Sequence, residues 1–208
     1  YTVVMAERQE AFGLMTKCIV QSAWDPDLHV LPASALLEGA ERELLSVHGA
    51  PFRISQPLGR VASNYGAVVI DTRPSFSLVT EMALLAATHA IIPVEPRYLE
   101  TVGLSAVLHK LQAVRDGWDV EHLSISGILI TKFDKRVRGH NELLEAFKTH
   151  PQLGKHICGV IPDSESVPYS HSNHLSVMDF DPKSSASVAY GEFVLRTAKQ
   201  IGVGGSAR

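Results

Sequence analysis

The sequence has only two cysteines in 208 residues, Cys18 and Cys158, far apart and without the short spacing of a metal centre. That favours free thiols kept reduced in a cytoplasm. No run approaches the roughly 18 apolar residues of a membrane span, and "YTVVMAERQEAFGLM" lacks a basic segment followed by a long apolar stretch. Excess charge is also lacking: the formal net charge is -3 and the pI near 6.4, so there is no bulk attraction to nucleic acid or anionic membrane. Low-complexity tracts and repeats are absent. With 45% hydrophobic and 20% charged residues, the chain can bury one sizeable core, and a single soluble cytosolic domain over residues 1–208 is expected.

What is present alternates. Short β-rich runs stand at "HVLPA" (29–33), "GAVVID" (66–71), "HAIIPVE" (89–95), "SISGILITKF" (124–133) and "ICGVIP" (157–162), each bounded by Gly, Pro, Asp or Ser. Between them lie helical patterns: Leu37, Ala40, Leu44 and Val47, closed by Gly49; Leu78, Val79, Met82, Leu85 and Ala86; Leu104, Val107, Leu108, Leu111 and Val114. A last pattern, Tyr190, Phe193, Val194, Ala198 and Ile201, precedes a Gly-rich tail at 202–205. Strands apolar on both faces, alternating with amphipathic helices, predict an α/β fold: an open, doubly wound, mostly parallel sheet with helices on both faces.

In such sheets ligands sit outside the carboxyl ends of the strands. The run "VVIDTRPS" (68–75) carries Asp71 to such a position. An acid after an apolar strand suits water-mediated Mg²⁺ coordination next to nucleotide phosphates. It equally suits a turn or helix cap before Pro74. Ser75 reads as a helix-start hydroxyl.

The stretch "YGAVVIDTRPSFSLVTEMALLAATHAIIPVEPRYLETVGLSAVLHKLQAVR" resembles the central block of the ParA partition ATPases, relatives of MinD. The likeness continues through "SGILITKFDKRVR", similar to the family's Thr-x-x-Asp-x-Arg, through "ICGVIP", and through "DFDPKSSASVAYGEF", similar to its closing Asp-Pro-Lys-Ser helix. "HVLPASALLEGAERELL" resembles the family's "LLPA" strand and following helix. Together these cover about residues 15–201. The resemblance implies a P-loop NTPase-like fold, ATP and Mg²⁺ as ligands, ATP-dependent homodimerisation, nonspecific DNA association, a centromere-binding ParB-like partner, no membrane contact, and a cytoplasmic, nucleoid-associated location. Carried over by position, it implies Asp71 as the Mg²⁺ residue and Thr131, Asp134, Ile161, Pro162 and Asp163 as base-side nucleotide contacts.

The family's Walker-A loop has no counterpart here: no Gly-Lys-Ser or Gly-Lys-Thr occurs, so the central P-loop strand is expected to be absent from this chain. A P-loop surrounds phosphate with backbone N–H groups and a lysine, and without it ATP hydrolysis is expected to be poor or absent. Two explanations stand side by side, part of an ordinary partition ATPase or a relative that keeps the scaffold for binding; Tyr1 in first position leans to the former.

Other departures matter. Arg73 replaces the first proline of the family's Asp-x-Pro-Pro-Ser, and is either a contact to phosphate or a partner carboxylate, or a solvated loop arginine. Asp163 and Glu165 stand near the family's basic positions after "GVIP", and acids repel DNA there. The cluster Lys132, Lys135, Arg136, Arg138 and His140 is either a DNA or partner contact, through Arg136 and Arg138, or a solvated turn before a helix at 140–149. His171 and His174 share zinc-like spacing but lie in what reads as a loop. A non-enzymatic alternative uses a dimer face near Arg73, Pro96 and Tyr98 to bind a protein partner.

Overall fold

The computed structural model describes residues 1–151 and 153–203, with the side chains of 98–102 outside the description. The chain divides into two compact units, residues 1–88 with 113–123, and residues 89–112 with 124 onward.

In the first unit α1 (Thr2–Met5) and α2 (Arg8–Cys18) precede two short strands, β1 (Val20–Gln21) and β2 (His29–Val30), which pair antiparallel; α3 (Leu37–Leu44), α4 (Ser55–Val61) and α5 (Leu78–Ala86) follow. Leu37, Ala40 and Leu44 recur at helical spacing and turn inward, where Ala40 and Leu44 join Val4, Ala50 and Met82 in one buried cluster. Val3, Met15 and Val61 form a second. Gly49 ends this stretch with φ +77°, a left-handed conformation that costs glycine little. The Arg53 guanidinium ties α1 down by donating to the carbonyls of Val4 and Ala6, both at 2.9 Å.

The second unit carries the sheet. β3 (His89–Val94), α6 (Tyr98–Trp118), β4 (Ser124–Phe133), α7 (Arg138–Thr149) and β5 (Ile157–Pro162) make two successive parallel crossovers, so the sheet order β3-β4-β5 follows the chain. Residues of α6 from Ala113 onward belong to the first unit. The expected α/β class with a mostly parallel sheet is what the chain adopts. β4 is central and buried continuously from Ser126 to Ile130, as a strand covered on both faces should be. After β5 come α8 (Ser166–Ser172), α9 (Val177–Phe180) and α10 (Ser185–Gln200). Ala186, Ala189, Tyr190 and Phe193 form one face of α10 and pack with Leu129, Cys158 and Ile161 of the sheet.

Three bulges shape this sheet. Ser126 is the extra residue of β4 against β3, Cys158 that of β5 against β4, and the segment 131–132 that of β4 against β5. α10 supplies hydrogen bonds at two of them: Arg196 donates to the Cys158 carbonyl at 3.2 Å and Gln200 to the Ser126 carbonyl at 3.1 Å. At the third bulge Lys132 takes φ +51°, an uncommon conformation for a residue with a side chain.

Several sequence expectations are corrected. The run 66–71 is not a strand: among the described residues no strand pairs with it, and Val69 is 92% exposed. β-propensity reports fitness for a ladder, and a ladder needs a second chain segment. "HVLPA" shrinks to His29–Val30, paired with β1 rather than with the parallel sheet. Ser75 does not start α5; Ser77 is its N-cap, and the Ser75 carbonyl accepts from the Thr80 hydroxyl at 2.6 Å. His171 lies inside helix α8 rather than in a loop.

Candidate functional site at the carboxyl edge of the sheet

The carboxyl ends of β4 and β5 meet in register, with Phe133 opposite Pro162, and the Asp163 N–H donates to the Phe133 carbonyl at 2.9 Å. This brings Thr131, Asp134, Pro162 and Asp163 to one edge. Ile161 precedes them, but its side chain is buried in the core and supports the edge from below.

Asp134 organises the turn that follows β4. Its carboxylate accepts from the Arg136 backbone N–H at 2.9 Å, and the Arg136 guanidinium grips both carboxylate oxygens at 2.8 to 3.2 Å. Those side-chain and backbone hydrogen bonds from Arg136 hold the Asp134 carboxyl down to about 2. A depressed carboxylate contributes stability that is present above its unfolded-state value near 3.9 and is lost as pH falls through the folded value. The Asp134–Arg136 contact should therefore persist at pH 3 and dissolve near pH 2. A carboxyl carbon-13 titration checks this, and a midpoint at or above the ordinary value would refute it.

Across the edge, Glu95 follows β3 and pairs with Lys132 and, at 3.1 Å, with Arg97. The Lys132 hydrogen bond leads in holding the Glu95 carboxyl below its usual range. Arg138 pairs with Glu142 at 2.7 Å one turn along α7. Three members of the basic cluster are thus paired with acids: Lys132 with Glu95, Arg136 with Asp134 and Arg138 with Glu142. A phosphate backbone at Arg136 or Arg138 would compete with carboxylates already in place.

The remaining candidates lie elsewhere. Asp71 belongs to the first unit, is exposed, and makes no hydrogen bond or ion pair among the described residues. Arg73 is paired with Glu38 of α3, both side chains more than 60% exposed, a pair worth about 1 kcal/mol or less. Pro96 is buried in the second unit, and the Tyr98 side chain lies outside the described residues. Among the described residues no three His, Cys, Asp or Glu side chains are placed to hold a metal, and no helix is long and apolar enough to cross a membrane.

Residue types alone did not disclose Glu95, because its pairing with Lys132 joins the ends of two strands and depends on register. The serine network could have been read. Ser176-Val-Met-Asp179 is a capping signature, and the Ser176 hydroxyl does accept from the Asp179 N–H at 3.1 Å. Ser184 caps α10 by accepting from the Ser187 N–H at 3.2 Å. Buried Ser187 ties α10 to the preceding segment through the carbonyls of Val177 and Asp181.

A family profile described as "AAA domain" matches residues 4–125. The chain is 30% identical over 187 residues to the sporulation initiation inhibitor protein Soj of Bacillus subtilis, covering 90% of this chain and 72% of that one. It is 36% identical over 118 residues to the chromosome partitioning protein ParA of Myxococcus xanthus, covering 57% of this chain and 41% of the relative. Among solved structures, a Borrelia burgdorferi B31 chain named for plasmid partition and bound to AMPPNP superposes with a TM-score of 0.72 at 20% identity, covering 95% of this chain and 77% of that one. Several curated relatives are matched over less than two thirds of their own length. A parallel α/β sheet with this profile match and this identity to Soj places the chain in the ParA/MinD-like family of AAA-domain proteins.

Proposed function

We propose that the chain serves plasmid or chromosome partition as a ParA-type module, with residues 1–208 acting as one ParA-like domain that binds adenosine triphosphate with Mg²⁺ and associates as a homodimer. The observation that carries the reading is the convergence of Thr131, Asp134, Pro162 and Asp163 at the carboxyl edge of β4 and β5, where a parallel sheet receives its ligand. The names of Soj and ParA relatives and the AMPPNP-bound neighbour support it. The fit to the ligand is partial. The edge of the second unit offers polar groups to a nucleobase, and Asp71, which the family resemblance assigns to hydrated Mg²⁺, is exposed and makes no ion pair among the described residues, while the sequence offers no Gly-Lys-Ser/Thr motif for the phosphates. In this reading a ParB-like protein is the partner, DNA association is nonspecific and secondary, and the protein works in the cytoplasm near the nucleoid.

Calorimetric titration of the chain with AMPPNP tests the reading. Saturable heat that needs Mg²⁺, and that weakens in Asp71→Asn, is expected, together with ATP turnover at background. No heat at millimolar nucleotide would sink the nucleotide-binding proposal.

A further inference from the structure

The turn between β4 and α7 has one polar contact that neither the resemblance nor the ion pairs account for. His140 is the third residue of α7, and its Nδ1 accepts the backbone N–H of Asp134 at 3.0 Å. Accepting there places the ring proton on Nε2. Side chains at this helical position commonly reach back toward the residue before the helix. His140 reaches further, to Asp134 at the end of the strand. Its ring lies beside Phe133, with centroids 6.0 Å apart and planes tilted by 40°.

The rest of the turn is anchored from the same helix. Asn141 donates to the carbonyls of Lys135 and Val137 at 2.8 and 2.9 Å, and the Val137 N–H donates to the Asp134 carbonyl at 3.0 Å. These contacts hold the middle and end of the turn. The Asp134 N–H, where the chain leaves the ladder, is held by His140 alone among the contacts described.

We propose that His140 is the positioning residue of the β4–α7 turn: its Nδ1 holds the Asp134 backbone where the chain leaves β4 and so sets where the Asp134–Arg136 pair stands at the edge that a bound nucleotide meets. This rests on the nucleotide reading above.

The test is a set of three variants of the full chain. His140→Asn keeps an acceptor close to the position of Nδ1, His140→Gln moves the acceptor toward the position of Nε2, and His140→Ala removes it. With AMPPNP and Mg²⁺ as the probe, His140→Ala and His140→Gln should bind about three- to tenfold more weakly, the worth of one hydrogen bond. His140→Asn should bind within about twofold of the parent on the same scale. Should His140→Ala fail to fold, the contrast between Asn and Gln still decides. Equal affinity in all folded variants overturns the inference while the nucleotide reading stands. If the parent binds no AMPPNP, that reading falls and takes the inference with it; where the parent binds, hydrogen exchange at the Asp134 amide is a second readout of the inference. Faster exchange in Ala and Gln with recovery in Asn supports it, and unchanged exchange overturns it.

Discussion

Gly127→Ala is expected to lower the unfolding free energy by about 2 to 3 kcal/mol, read as a lower urea midpoint at unchanged slope. Gly127 sits in the buried centre of β4, and a methyl group there would lie within 2.5 Å of the Cys158 Cβ and closer still to its Sγ. Real carbon contacts do not approach so near, so one strand must move. Cys158 cannot turn aside: it is the extra residue of the β5 bulge, buried among Leu129, Ile161 and Ala186, and its carbonyl is tied to Arg196. Glycine in the middle of a strand ordinarily weakens it; here the close approach of a neighbouring side chain explains it. The double variant Gly127→Ala/Cys158→Gly should recover part of the loss, because it removes both atoms in the way, and a double-mutant cycle measures that coupling. A single variant within about 0.5 kcal/mol of the parent would show that the strands separate freely.

Ile130→Ala should cost about 2 to 5 kcal/mol, the range for deleting a fully buried branched side chain. Ile130 is fully buried, stands opposite Val94 of β3 and Val160 of β5, and directly precedes Thr131 at the candidate site. Truncation removes packing on the one strand that both neighbours share. Ile130→Val should cost about 0.5 to 1.5 kcal/mol. Val188→Ala, exposed on α10, should stay within about 0.5 kcal/mol of the parent and serves as the control. Urea unfolding of the three separates core loss from general sensitivity of the second unit. An Ile130→Ala chain as stable as the Val188→Ala chain would place the core elsewhere.

The parallel strands were legible because a strand buried on both faces carries its signal in its own residues. "SISGILITKF" and "ICGVIP" match β4 and β5 residue for residue, and "HAIIPVE" overruns β3 only by Glu95. Helices α3, α5 and α6 were legible from inward-facing periodicity; for α10 the pattern found the helix but counted Val194, which is exposed, and missed buried Ala186. The run "GAVVID" shows the limit of that reasoning: its composition suits a strand, yet strand formation is a property of pairs, and no partner lies among the described residues. At the site, the family resemblance pointed to Thr131, Asp134, Ile161, Pro162 and Asp163, of which Ile161 is buried beneath the edge. The resemblance could not show that Arg136 is held by Asp134, that Arg73 is held by Glu38, or that His140 holds a backbone N–H. Those depend on turn geometry and helix register, which side-chain type does not encode. The basic cluster looked unbalanced in sequence because Glu95 lies 37 residues before Lys132 and is joined to it only through the sheet.

The two cysteines fall one to each compact unit. Cys18 is half-buried at the end of α2, while Cys158 is buried in the β5 bulge, where loss of solvation raises its thiol above the ordinary range. Alkylation needs both access and a thiolate, and Cys158 in the closed sheet offers neither. Its labelling rate therefore acts as a clock for opening of the sheet, with half-buried Cys18 as the faster internal reference. The chain carries its own chemical probe and its own reference thiol, so the breathing of the second unit can be timed by mass spectrometry without introducing a foreign residue.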